Sequence, residues 1–379
     1  MSMLSSSATR LQSLLDGPLP ELQSPPPKGS EFVIYGAGNC GRDAMRILCE
    51  QGYGVAAFLD VRANSISDVG GVRCLTPEDE GARAYARSGI PVIVAVFNPF
   101  ADIFAICELL RRNGFTRIIS YYEFFEWFSE SLKSRFWLAP RHFYREERVH
   151  ILDAFDLWAD DTSRRIYSDL LDLRLTWNLE LLREPDTAYQ YFPVDLPPPR
   201  TPMRLIDGGA FVGDSLQCFL AHNLKIAAVA AFEPDPENFR RLCQFAMQNR
   251  QAIPFPIMFP CGLADKTMMQ RFSSDGGTAS RLTDDGDCLV QLVTVDEAIP
   301  SFAPTLVKLD VEGAEIAALN GAAETIRHYQ PDLAVCVYHL PDHLWRVPLL
   351  MHELVPNHRL ALRYHQFNDF EVVAYAFRN

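Results

Sequence analysis

At 379 residues the chain has room for two or three domains, each large enough to bury its own core. Hydrophobic residues at 48% and charged residues at 22% describe an ordinary globular protein and exclude a fibrous or wholly disordered one. A formal net charge of -13 argues against a nucleic-acid partner, which calls for a basic face, and no apolar run approaches the ~18 residues that span a bilayer.

Met1–Gly29 lacks a signal-peptide pattern and reads as a mostly disordered lead-in with at most one short helix. Glu31–Tyr35 is an apolar strand, followed by Gly36-Ala37-Gly38-Asn39-Cys40-Gly41 and a helix to about Gln51. Strands at Val55–Leu59, Pro91–Phe97 and Thr116–Ser120 alternate with a helix at Ile103–Asn113, the pattern of a parallel sheet covered on both faces. Aromatics and leucines at helical spacing from Tyr121 to Arg183 predict a helical connector, and the five prolines of Pro193–Pro202 close it. The domain reading is therefore a lead-in over 1–30, a Rossmann-like unit over 31–128, a connector over 129–200 and a second α/β unit over 201–379.

The second unit opens with a strand at Met203–Ile206 and alternates again. Helices are expected at Asp214–His222, Pro236–Asn249 and Ala314–His328. Strands are expected at Ile226–Phe232, Pro254–Cys261, Leu306–Leu309 and Leu333–Tyr338. Met268–Phe272 and Leu289–Val295 read as a hairpin around a polar loop at 273–281, either a lid over an acceptor or a plain flexible turn. Leu360–His365 and Glu371–Phe377 form a closing antiparallel hairpin on a tight turn. The nine dispersed cysteines, among them Cys49, Cys107 and Cys336 in apolar settings, contain no CxxC pair and fit reduced thiols in the cytoplasm.

Three segments carry chemistry. In Asp207-Gly208-Gly209-Ala210-Phe211-Val212-Gly213 the glycines let the backbone turn sharply beside a ligand, and the next helix's amides favour an anionic group. Asp207 is placed to hold a cationic group, and its charge would repel a pyrophosphate; both favour a phosphate-free methyl donor over a dinucleotide. Glu233, 26 residues on at the tip of the next strand, is placed to accept from ribose hydroxyls. Third, Lys308-Leu309-Asp310-Val311-Glu312-Gly313-Ala314-Glu315 puts three carboxylates at a strand's carboxyl end, where a base for a hydroxyl belongs. Glu315 also suits the first turn of a helix, and Lys308 suits a pair with a neighbouring carboxylate.

These segments, in this order and with Val337-Tyr338-His339 after them, resemble the FkbM-type methyltransferases from about Leu205 to Phe377. The resemblance implies a seven-stranded α/β sheet with a terminal antiparallel strand and O-methylation, often of a sugar or polyketide hydroxyl. S-adenosyl-L-methionine is the donor it implies. It places Asp207, Gly208, Gly209, Ala210, Gly213, Glu233 and Gly262 around the donor, and Asp310 and Glu312 near the acceptor, with His339 added from its place past a strand end as a base or hydrogen-bond donor. Phe211 stands where the family usually has a polar residue. His339 and His343 also invite a metal reading, as do Asp310, Glu312 and Glu315, but no metal is assigned.

In the first unit, Gly36, Gly38, Gly41 and Asp60 meet the spacing of a dinucleotide fingerprint. Ile34–Gly38, Phe58–Asp60 and Pro91–Ala95 are similar to the Rossmann-like domain of bacterial sugar-nucleotide acetyltransferases, which implies a nucleotide-sugar ligand. NAD and a scaffold without ligand remain open beside it. The expected function is methyl transfer to a hydroxyl, with a sugar or glycan precursor as the first acceptor class. A nucleotide-sugar oxidoreductase and a non-catalytic binding protein are the alternatives, and oligomeric state is left open.

Overall fold

The structure is a computed structural model describing residues 3–132, 135–181, 189–273, 281–282, 286 and 288–378. Its first unit is a six-stranded sheet. The strands are β1 (Glu31–Tyr35), β2 (Gly54–Leu59), β3 (Asp68–Val69), β4 (Val72–Leu75), β5 (Val92–Val94) and β6 (Ile118–Ser120), in the order β3-β4-β2-β1-β5-β6. All neighbours run parallel except the β3–β4 hairpin. That hairpin and the helix Glu80–Arg87 fall between the strands read from sequence; runs this short carry too few residues for a period to show.

The lead-in carries a longer helix than expected. Met3–Asp16 is one 14-residue helix, and Leu11 and Leu15 are buried where it packs on the connector helix Asp161–Thr176. Its apolar residues find a partner only in the tertiary structure, so composition alone made the segment look unfolded. The connector is helical as expected, and the aromatic cluster joins it to the first unit: Tyr122 stacks on Trp137 and Trp177 at 5.5 Å each.

The second unit is a seven-stranded sheet. Its strands are β7 (Met203–Gly208), β8 (Ile226–Phe232) and β9 (Pro256–Phe259), then, after β10 (Gly262–Leu263), β11 (Met268–Ser273), β12 (Arg281–Leu282) and β13 (Cys288–Val293) of a small side sheet, β14 (Leu306–Leu309), β15 (Asp332–Cys336), β16 (Arg359–Tyr364) and β17 (Val372–Phe377). The order is β16-β17-β15-β14-β7-β8-β9, with β17 antiparallel to both neighbours. The central strands are buried along almost their whole length, as expected for parallel strands covered on both faces.

The predicted β11–β13 hairpin forms, while positions 274–280 of its expected lid lie outside the described residues. Ala314–His328 is two helices, Glu315–Asn320 and Ala323–Tyr329. They break at Gly321, whose carbonyl accepts from Asp296 N at 3.1 Å. The closing strands are joined by seven residues, 365–371, and not by a tight turn. A helix at His343–Leu354, with Pro348 inside it, went unread. All nine cysteines are free, with Cys107 and Cys336 buried but Cys49 exposed. No described helix is long and apolar enough to cross a membrane.

Candidate active site

A cleft of about 230 Å³ opens at the carboxyl ends of β7, β8 and β14. Glu233, just past β8, lines it. The carboxylate is held by backbone amides: Phe211 N donates to Oε2 and Asp235 N to Oε1, each at 2.9 Å. Asp235 also caps the helix Pro236–Gln248, accepting from Glu237 N and Asn238 N, so the Glu-Pro-Asp-Pro run fixes strand end, side chain and helix start together. Burial pushes the Glu233 carboxyl up to about 7.

Gly209 makes the turn beside it with φ 70°; a Cβ there would stand 1.8 Å from the Asp310 carbonyl oxygen, so only glycine lets β7 and β14 converge. Phe211 occupies the same left-handed region at φ 46°, a costly place for a phenylalanine and a more tolerable one for an asparagine. Gly209, Phe211 and Gly262 line the cleft; Gly208, Ala210 and Gly213 do not, and instead shape the turn from beneath, where a Cβ on Gly208 or Gly213 would strike Leu263 or Phe245 at 2.8 Å.

Asp207 departs from expectation. It is fully buried under the turn and absent from the cleft wall. Its Oδ2 accepts from Ser215 Oγ at 2.6 Å and its Oδ1 pairs with Lys308 Nζ at 3.1 Å. The two are register partners on β7 and β14, so their side chains leave the same face of the sheet. Lys308 Nζ also donates to Gly209 O at 2.7 Å and lines the cleft. Burial alone would depress the ammonium, but Asp207, Asp310 and Asp214 outweigh it and hold it charged. Asp207 therefore sets the turn through Lys308 and Ser215, and with its charge offset it is no argument against a phosphate ligand. Asp214, which lines the cleft beside Gly209 and is pushed up by burial, is the carboxylate that sequence reading missed there.

Asp310, Glu312 and Glu371 form the other end. Tyr191 Oη donates to Asp310 Oδ2 at 3.0 Å, Tyr338 Oη to Glu371 Oε1 at 2.9 Å and Gln190 Nε2 to Glu371 Oε2 at 2.6 Å. Burial raises the Glu312 carboxyl to about 7, and burial with the Asp310 charge does the same to Glu371. His339 stands behind them, its Nδ1 bonded to Glu315 Oε1 at 2.8 Å, while His343 Nδ1 meets Glu315 Oε2 at 3.0 Å. Glu315 is thus shared by both histidines and by Val311 N, and is held well below the usual carboxylate range although burial opposes this. Burial would lower the His339 imidazole, yet Glu315, Glu312 and Asp310 raise it to about 10, which suits a donor and not a base at neutral pH.

Glu371 went unread because its loop precedes an antiparallel strand. Val373 lies opposite Cys336 in the register, so the start of β17 meets the carboxyl end of β15 and loop 365–371 opens onto the cleft. The topology, and nothing local, carries that signal. Asn368 in the same loop donates to Asn98 O and Ala101 O at 2.8 Å each, and Phe370 packs on Phe97 at 5.1 Å. Pro99 and Phe100 of the first unit are thereby brought to the cleft's rim.

Residues 207–369 match the family model of the methyltransferase FkbM domain. That segment is therefore similar to the FkbM-type methyltransferase domain. A solved methyltransferase FkbM from Methylobacillus flagellatus KT is 19% identical, covers 99% of both chains and superposes with a TM-score of 0.80, so the whole architecture, first unit included, is shared. Two partial overlaps carry no argument at their TM-scores. Fibrillarin of Aeropyrum pernix with bound S-adenosyl-L-methionine covers 46% of this chain and 66% of its own, at 13% identity and TM-score 0.27. A precorrin-6y C5,15-methyltransferase from Geobacter metallireducens GS-15 covers 46% and 79%, at 11% identity and TM-score 0.28. No curated protein matches the chain.

In the first unit, Gly36 turns at φ 103°, and Gly41 sits 1.9 Å, measured from a built Cβ, from the Gly36 carbonyl oxygen; Gly38 faces open space. Asp60 does not reach toward a ribose. Its Oδ2 accepts from Ala37 N at 3.0 Å and both oxygens are engaged by Arg62, because the Asp60–Ala63 turn folds back on the glycine loop.

Proposed function

We propose that the FkbM domain transfers methyl from S-adenosyl-L-methionine to a hydroxyl of a sugar or glycan precursor. The observation that carries this is Glu233 and the Gly209 turn facing one cleft whose far end holds Asp310, Glu312 and Glu371. In this reading Glu233 accepts from the donor's ribose hydroxyls, and Phe232, Leu263, Phe272 and Leu292 give an apolar wall for the adenine. Asp214 takes the ammonium, the role expected of Asp207.

The sulfonium supplies the reactivity; the protein aligns an acceptor oxygen for in-line displacement and takes its proton. Asp310 and Glu312 face the acceptor, Tyr191 orients Asp310, and His339 acts from behind as a charged donor. A lining that combines carboxylates with Phe100, Phe136 and Tyr338 suits a polyhydroxylated ring, whose hydroxyls meet the acids and whose faces meet the rings. The first unit contributes that rim and offers the open loop at Gly38 to a nucleotide-sugar; the engagement of Asp60 counts against hydride-transfer chemistry there.

The test is turnover of labelled S-adenosyl-L-methionine with a panel of nucleotide-sugars and oligosaccharides, alongside calorimetry with S-adenosylhomocysteine. Label in an alkali-stable sugar ether is expected. Absence of homocysteine-analogue binding, or of any labelled glycan, would refute the reading.

A further inference from the structure

A hydroxyl that receives a methyl group must give up its proton, and three carboxylates at the acceptor end of the cleft could take it. They are not alike. Asp310 and Glu312 sit nearest the His339 imidazolium, with Asp310 Oδ1 at 3.4 Å and Glu312 Oε2 at 3.7 Å from Nε2. A positive charge that close favours their ionised forms and opposes an arriving proton. Glu371 is met instead by neutral donors, Tyr338 Oη on Oε1 at 2.9 Å and Gln190 Nε2 on Oε2 at 2.6 Å. One of its oxygens also lies within 4.8 Å of an Asp310 oxygen, and two carboxylates that close raise each other's affinity for a proton.

The backbone holds Glu371 there under constraint. It sits at φ 51°, with Asn368 and Asp369 both at 60° in the same loop, a region that residues other than glycine keep only when their surroundings enforce it. The enforcement is visible next to it, where Phe370 is wedged against Phe136 at 4.9 Å and Phe97 at 5.1 Å. Around Glu371 the charged groups are Asp310, Glu312 and His339. The Cys336 thiol and the Tyr191, Tyr338 and Tyr375 phenols are pushed up, chiefly by burial, and stay neutral. Burial and the Asp310 charge bring the Glu371 carboxyl up to about 7, against the Tyr338 bond and the weaker influence of His339. Burial lifts Glu312 as far; what sets Glu371 apart is that a bond fixes each of its oxygens, and each keeps a lone pair to spare.

We propose that Glu371 is the catalytic base that takes the acceptor's hydroxyl proton, with Tyr338 and Gln190 as the residues that position it. The acceptor oxygen bonds to the methyl carbon as the carbon–sulfur bond breaks. That electron pair stays on sulfur, leaving S-adenosylhomocysteine, and the proton passes to a Glu371 oxygen. The assignment rests on the methyl-transfer reading.

The experiment follows label from S-adenosyl-L-methionine into the panel of nucleotide-sugars and oligosaccharides. It uses the full chain at saturating donor, so that donor affinity does not enter kcat. In wild type, kcat should fall about tenfold per unit as pH drops below 7 and level off above 8. Glu371→Gln should lose at least ~100-fold in kcat at pH 8, keep S-adenosylhomocysteine affinity within about twofold and show no acid limb, while Glu371→Asp recovers part of the rate. Tyr338→Phe removes a donor from the ionised carboxylate and should move the limb up by about one pH unit. That variant decides the matter if thermal denaturation shows Glu371→Gln unfolded. A folded Glu371→Gln less than tenfold slower than wild type overturns the assignment. So does an acid limb that vanishes in Glu312→Gln but persists in Glu371→Gln, or one unmoved in Tyr338→Phe. Wild type that labels no sugar strikes the methyl-transfer reading itself, and the base with it.

Discussion

Replacing Glu233 by glutamine tests the donor end most directly. The native carboxyl sits near 7 against an ordinary 4.5, raised first by burial, which the amides of Asp235 and Phe211 only partly offset. The fold therefore favours the neutral acid. Its contribution to stability is complete below the ordinary value and is lost as pH rises through 7, about 3 kcal/mol in all for two to three pH units. Donor binding runs the opposite way, because ribose hydroxyls donate to the ionised form. Two such charge-assisted bonds are worth about 3 to 5 kcal/mol. In Glu233→Gln the amide nitrogen also faces Phe211 N or Asp235 N, donor against donor, which cancels much of the stability gained by removing the charge. The expectation is a near-unchanged melting temperature at pH 8 and S-adenosylhomocysteine affinity reduced at least ~100-fold in calorimetry. Wild-type affinity should be flat above pH 8 and fall roughly tenfold per unit below 7. Affinity within threefold of wild type in the variant, or a wild-type curve flat from pH 6 to 8, refutes the assignment.

Asp207→Asn should leave Lys308 buried without its charge partner and cost about 3 to 5 kcal/mol in urea denaturation, much of it regained in Asp207→Asn with Lys308→Met. Gly209→Ala, with its Cβ driven into the Asp310 carbonyl, should yield little folded protein or lose both cooperativity and donor binding in the same titration. Phe211→Asn should relieve the left-handed strain and raise stability by about 1 kcal/mol, read as a shift in denaturation midpoint. Asn368→Ala frees two carbonyls of the 98–101 turn and should cost about 2 kcal/mol, with faster amide exchange confined to that turn and loop 365–371.

By itself the sequence determined the elements whose signal is local. Ile226–Phe232 is a run of seven small and apolar residues ending at an acid, and it is a central strand with Glu233 at its tip. The glycines of 207–213 and the acids of 310–315 announced a strand–turn–helix and a carboxylate cluster, because backbone freedom and charge are properties of single residues. Only the tertiary structure decided where side chains point. Asp207 looked like a ligand until register put Lys308 beside it on the same face. Glu371, Tyr191 and Gln190 reach the site across 60 to 180 residues of chain, through the reversed direction of β17 and the return of the connector. The N-terminal helix is ordered for a similar reason: its buried leucines face a partner helix far along the chain. Local preference selects strands and turns within a few residues, whereas pairing of charges and closing of a cleft depend on contacts that no short window of sequence contains.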